Sequence, residues 1–288
     1  MIAAFFWGIS GTIIKILFNH KMDPFVLVNM RLNLSFAIMF IVFYIFRRSI
    51  VRIKKKDLKF LAILGIFGIT GVQSSYYFTV SALNVSMAIF LQFLAPILVM
   101  VYCVIFQKER LNLMKITALL LAVAGSFFII FGRGNAAVPI KTVGLISGIA
   151  SALFCAFYYI YGKKCTDDHN PWTVLLYAVG AGALLYWFVS PPWVLWRSVS
   201  PEQVLAALYI SVFATIIPFG LYLTGSKYLS SATASIIAML EPVVASMSAF
   251  MVLGEVMAPL QIVGGLAVIA AVAVIQINES KANADNKI

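Results

Sequence analysis

Three ionisable residues stand inside long apolar runs of the sequence: Lys15, Arg31 and Glu241. A charge at the centre of a bilayer helix costs about 2.5–3.5 kcal/mol on insertion scales, so such a side chain normally faces a cavity or an opposite charge. Lys15 is close to the predicted end of its helix and has a bland alternative, which is to extend its stem to the interface. Arg31 follows Pro24 by seven residues, about 10 Å of depth at 1.5 Å per residue, and Glu241 falls near the middle of its run. Two chemistries suit the set. One is a fixed buried ion pair of Glu241 with Arg31 or Lys15; the other is a binding or coupling site in which the carboxyl changes protonation.

Pro96 and Pro242 fall at mid-run as well. Each removes a backbone donor and frees a carbonyl, which shapes a cavity or a hinge. Gln73 and Gln92 are the polar side chains best suited to line such a cavity, ahead of Asn29, Asn33, Ser74 and Ser75, since helical serines commonly bond to their own backbone. Trp7, Tyr76, Tyr77 and Tyr222 offer faces on which a ligand can stack, or plain packing. Gly8-Ile9-Ser10-Gly11 spells a serine-nucleophile motif, but its partner would be a histidine at the same depth. The two histidines, His20 and His169, lie in connections at opposite ends of their helices. Gly132-Arg133-Gly134 is too short to hold a phosphate. No catalytic residue, metal site or cofactor is expected, because the three cysteines, Cys103, Cys155 and Cys165, contain no paired spacing.

The elements that must position these residues are long helices. The 288 residues are 62% hydrophobic and 11% charged, against about 25% charged in a soluble domain. Apolar runs of about 20 residues select helices over an outer-membrane barrel. The chain is therefore read as an all-α integral membrane protein with ten transmembrane helices, near residues 2–18, 24–46, 58–80, 84–106, 112–131, 140–162, 171–190, 202–224, 229–252 and 258–277. The first run carries no basic residue before it and is interrupted by Lys15, so it is expected to stay as a helix rather than be cleaved as a signal peptide. Gly144, Gly148, Ala152 and Ala156 make a small-residue ridge that admits a close neighbour.

Charge sets orientation. The net charge of +11 does not form a nucleic-acid patch, because Lys and Arg gather beside the runs. With the amino terminus inside, fifteen of them fall in inner segments, seven between Arg47 and Lys59, and four in outer ones, Lys21, Arg133, Lys141 and Arg197. Both termini are thus predicted to be cytoplasmic. Trp187, Trp193 and Trp196 mark an outer aromatic belt and Trp172 the inner end of the same helix. The chain also repeats: a shift of 146 places Pro96 on Pro242, Glu109 on Glu255 and Tyr76 on Tyr222, and a shift of 147 places Pro24 on Pro171. Five runs per copy is an odd number, so the copies are inverted. The expected units are 1–131, 140–277 and a cytoplasmic tail, 278–288.

These features together resemble the EamA family of the drug/metabolite transporter superfamily over essentially the whole chain. The first half shows Trp7-Gly8 and Lys15, then Pro24 and Arg31, then Leu94-Ala95-Pro96 with Glu109 and Arg110; the second shows Leu240-Glu241-Pro242 and Gly254-Glu255. The second copy departs in having Phe154 where tryptophan is common and no arginine matching Arg31. The resemblance implies a secondary transporter with a central cavity and alternating access. It implies no enzyme activity, a small-molecule substrate, protons as the candidate coupling ion, and a bacterial inner membrane. Export of small polar metabolites, amino acids first, is the leading expectation. A drug, organic-cation or lipid-intermediate exporter is the alternative.

Overall fold

In the computed structural model the described residues are 1–19, 23–83, 85–109, 112–132, 141–189, 191, 193, 199–254 and 256–285. They contain helices and connections, and no strand. The helices are α1 (Ile2–Asn19), α2 (Pro24–Phe46), α3 (Lys55–Ala82), α4 (Met87–Phe106), α5 (Leu113–Phe131), α6 (Thr142–Asp168), α7 (Pro171–Val189), α8 (Pro201–Ser226), α9 (Ser231–Val252) and α10 (Pro259–Asp285). Among the described residues nine, α2 to α10, are long and apolar enough to cross a membrane. The tenth expected span corresponds to α1, whose side chains from position 11 onward lie outside the described residues. α6 runs further than expected, to Asp168, and α10 continues into the predicted tail.

Local chemistry starts the helices where the sequence places prolines. Asp23 accepts from the backbone N–H of Phe25 at 2.7 Å and of Val26 at 3.2 Å, while Pro24 occupies a first-turn position that needs no donor. Asn170 does the same ahead of Pro171, accepting from Trp172 N at 2.9 Å. Ser200 and Gln203 form a reciprocal capping box at the start of α8. The outward faces stay apolar: Phe46, Phe106 and Phe188 are among the most exposed large side chains, as a hydrocarbon solvent permits.

The fold repeats itself in detail that composition does not reveal. α3 contains a π-helical stretch at Leu64–Thr70 and α8 one at Ile210–Ile216, each residue of the first lying 146 positions before its counterpart. α4 breaks after Gln92 and restarts at Ala95; α9 breaks after Ala238 and restarts at Glu241, at the same offset. Pro96 and Pro242 are accordingly first-turn residues of restarted helices, where the sequence led us to expect bends in continuous ones. Contacts come in matched sets. α3 packs on α6 as α8 packs on α1, α4 on α6 as α9 on α1, and α2 on α8 as α7 on α3. Three pairs, α2 with α7, α4 with α9 and α5 with α10, are their own counterparts. This layout fits two inverted five-helix repeats.

The α5–α10 seam is the closest of these. Ala118, Ala122, Val268, Ala271 and Ile275 on it are fully buried. A Cβ on Gly125 would stand 2.6 Å from the Gly264 carbonyl oxygen, and one on Gly264 2.5 Å from that of Gly125. Small residues let two backbones meet where no hydrophobic effect drives helices together. On α6, the Gly144–Gly148 ridge behaves as expected, receiving Leu83 and Leu91.

Candidate functional site

The two helix breaks face one another across a cavity. Gln92, Phe93, Ala95 and Pro96 wall it from the first break, and Ala238, Met239, Glu241 and Pro242 from the second. Since Pro96 and Pro242 carry no N–H, the carbonyls of Gln92 and Ala238 receive no helical bond from them. α1 closes one side. A Cβ on Gly8 would lie 2.8 Å from the Glu241 carbonyl oxygen and 2.7 Å from the Val244 Cβ, so this glycine lets α1 press on the restart of α9 and sets Trp7 and Ser10 into the wall. α3 contributes Val72, Gln73, Tyr76 and Tyr77, one face just beyond its π-helical stretch. π-helical turns recur at functional sites because they shift the facing of the side chains that follow.

Arg31 lines this cavity and is 5% exposed. Of the two readings open for Glu241, a fixed ion pair with Arg31 is not formed. The Arg31 Nε donates to Thr215 Oγ1 at 2.5 Å, Nη1 to Tyr77 Oη at 2.8 Å and Nη2 to the Ala214 carbonyl at 2.5 Å. The guanidinium carbon is also 6.0 Å from the centre of the Phe219 ring. The Ala214 carbonyl is available because residue 218, four further on, is a proline without a donor. Ser211 and Ser35 extend the clasp: Ser211 Oγ donates to the Arg31 carbonyl at 3.3 Å and Ser35 Oγ to the Ser211 carbonyl at 3.1 Å. Arg31 thus ties α2 and α3 to the π-helical stretch of α8. Glu241, by contrast, has no hydrogen-bond or ion-pair partner among the described residues.

Of the residues singled out from sequence, Trp7, Arg31, Gln73, Tyr76, Gln92, Pro96, Glu241 and Pro242 meet at this one cavity. Tyr222 does not line it. Its ring packs at a tilt against Trp7 at 5.8 Å and Tyr159 at 4.9 Å, and it lines a second cavity with Met1, Ala4, Trp7 and Ala238. The side chain of Lys15, and His20, Lys21, Arg110, Arg133, Gly134, Trp196 and Glu255, lie outside the described residues. Asn33 bonds to Asn29 and Trp187, Ser74 to Tyr186 and Ser75 to the Gly71 carbonyl. His169 contacts Asp57 and the Cys165 carbonyl, away from Ser10. Sequence reasoning missed Tyr158, Tyr159, Thr215 and Phe219 as site residues. Pro218 was the one available signal, since it announces a free carbonyl at Ala214.

A cavity between broken helices, walled by residues of both repeats, is an arrangement that carries solutes across a bilayer rather than one that performs covalent chemistry. Comparison with known proteins agrees. An uncharacterized inner membrane transporter of Salmonella typhimurium, YicL, is 27% identical over 257 residues, covering 88% of this chain and 86% of its own. The threonine/homoserine exporter RhtA of Escherichia coli K12 is 24% identical over 70% of this chain and 65% of its own. A solved crystal structure superposes with a TM-score of 0.79 at 16% identity, covering 97% of this chain and 96% of that one, and so shares the fold. The model of the EamA-like transporter family matches residues 1–131 and again 142–277, and this multi-pass membrane protein, a transporter and not an enzyme, belongs to that family.

Proposed function

We propose that the protein exports small amine-bearing metabolites, amino acids first, by alternating access around the cavity between the two helix breaks. The observation that carries this reading is the Glu241 carboxyl, which stands at the restart of α9 without a hydrogen-bond or ion-pair partner among the described residues and lines a cavity with amides and aromatic rings. Such a group binds a substrate ammonium or takes a proton, and an exporter coupled to proton entry alternates between the two. Arg31 retains two of its five N–H groups beyond the three bonds it makes, enough to receive a substrate carboxylate without leaving the clasp. The cavity holds about 110 Å³, below the roughly 300–1,000 Å³ of pockets that enclose drug-sized ligands, and so favours a small solute. The exporter relative RhtA supports the amino-acid assignment. The charge bias of the connections supports an inner-membrane protein with both termini cytoplasmic.

Organic-cation export is the second reading, favoured by the aromatic wall and by the engagement of Arg31 within the protein. One experiment separates them. Proteoliposomes preloaded with a neutral amino acid or with a lipophilic cation are assayed for efflux under an imposed pH gradient. Gradient-dependent efflux of the amino acid supports the first reading; efflux of the cation alone replaces it with the second.

A further inference from the structure

Resting on the reading of this cavity as the transport site, we propose that Gln73, with Ser10 and Tyr158, forms a neutral hydrogen-bonding subsite that selects amines carrying a hydroxyl or primary amide group. Gln73 is 3% exposed, Ser10 1% and Tyr158 2%, and all three line the central cavity. Among the described residues, Gln73 Nε2, Gln73 Oε1, Ser10 Oγ and Tyr158 Oη are buried polar atoms with no hydrogen-bond partner in the protein. Buried polar atoms are nearly always paired, because stripping them of water without replacement is costly. A helical serine can rotate onto a carbonyl of its own preceding turn, so Ser10 alone would carry little. An amide with neither its donors nor its acceptor engaged has no such escape.

The chemistry of the amide decides what completes it. Gln73 presents an acceptor and two donors in one plane. A methyl group satisfies neither function, and a carboxylate, which only accepts, leaves Oε1 unpaired. A hydroxyl donates to Oε1 or accepts from Nε2, and a primary amide does both at once. Ser10 and Tyr158 hydroxyls add further partners of either sense. The carboxylate of Glu241 comes from the other repeat, and the repeat counterparts of the two residues are apolar: Phe219 stands at the position matching Gln73 and Ala95 at that matching Glu241. The cavity is thus divided between a charged group for the amine and a neutral group for the second function. A site built to pair a substrate hydroxyl rejects the analogue lacking it far more strongly than an apolar pocket rejects an added methylene.

The test uses pairs of equal shape in reconstituted full-length protein: threonine against valine, asparagine against leucine, and, without a carboxylate, 2-aminoethanol against propylamine. Wild type is expected to favour the polar member by roughly tenfold or more in kcat/KM. Gln73→Leu keeps the volume and removes the unpaired amide, so it is expected to bring the ratio to within about twofold, by slowing the polar member and admitting the apolar one. Equal transport of both members by wild type overturns the proposal without recourse to any variant. So does an unchanged ratio in Gln73→Leu. If the amines move with the expected discrimination and the amino acids do not, the subsite stands and the amino-acid reading falls; transport of none of the six overturns both.

Discussion

Exchanging Arg31 for methionine, which keeps much of the stem and none of the donors, removes the bonds to Thr215, Tyr77 and the Ala214 carbonyl at once and takes from that buried carbonyl its guanidinium donor. A buried group left without its partner costs roughly 1–3 kcal/mol, and with the other two charge-assisted bonds lost as well Arg31→Met is expected to lose several kcal/mol and melt far below wild type in detergent. Glu241→Gln removes a charge that has no hydrogen-bond or ion-pair partner among the described residues, and it should melt as wild type does while losing pH-gradient-driven efflux, because an amide cannot release a proton. An Arg31→Met protein as stable as wild type would return the guanidinium to the substrate. An active, proton-coupled Glu241→Gln protein would remove the carboxyl from coupling. The sequence marks both residues as unusual through the cost of charge in an apolar run. It does not disclose which has a partner, because Thr215 and Ala214 lie more than 180 positions from Arg31 and no spacing rule links them.

At the scale of elements, the helices, their order and the two mid-run prolines were legible, since each leaves a mark of hydropathy or of a missing donor. The two π-helical stretches were not. They depend on what packs beside them: on α3, a Cβ at Gly65 would stand 2.1 Å from the Ala178 carbonyl oxygen of α7, and the counterpart position on α8 is Ser211, which bonds to α2. One side of the pseudo-symmetric pair is closed by contact, the other by polar bonds around Arg31. Gly65→Ala must therefore push α3 from α7, and we expect a loss of several kcal/mol, in the range of an overpacked core. Gly225→Ala, where nothing lies within 4 Å of the added carbon, should leave the stability unchanged or raise it by up to about 1 kcal/mol of helix propensity. Thermal unfolding of the two variants side by side checks both; a tolerated Gly65→Ala would mean that the close approach to α7 is dispensable.

For the whole molecule, the charge bias predicts that reporters fused after Lys56 and after Lys281 read cytoplasmic and one after Arg197 external. An external reading after Lys56 would reverse the direction assigned to transport. The repeat was visible in the sequence as a few coincidences at one offset, and in the structure it extends to breaks, stretches and contacts, because packing is shared by residues whose identities have drifted apart. The α5–α10 seam joins the last helices of the two repeats through Gly125 and Gly264. Such a seam is what two separate five-helix chains would need in order to find each other in the membrane. Residues 1–132 and 141–288, expressed as two polypeptides in one cell, should reassemble into a working exporter, and a bulky residue at position 264 should prevent the two pieces from meeting.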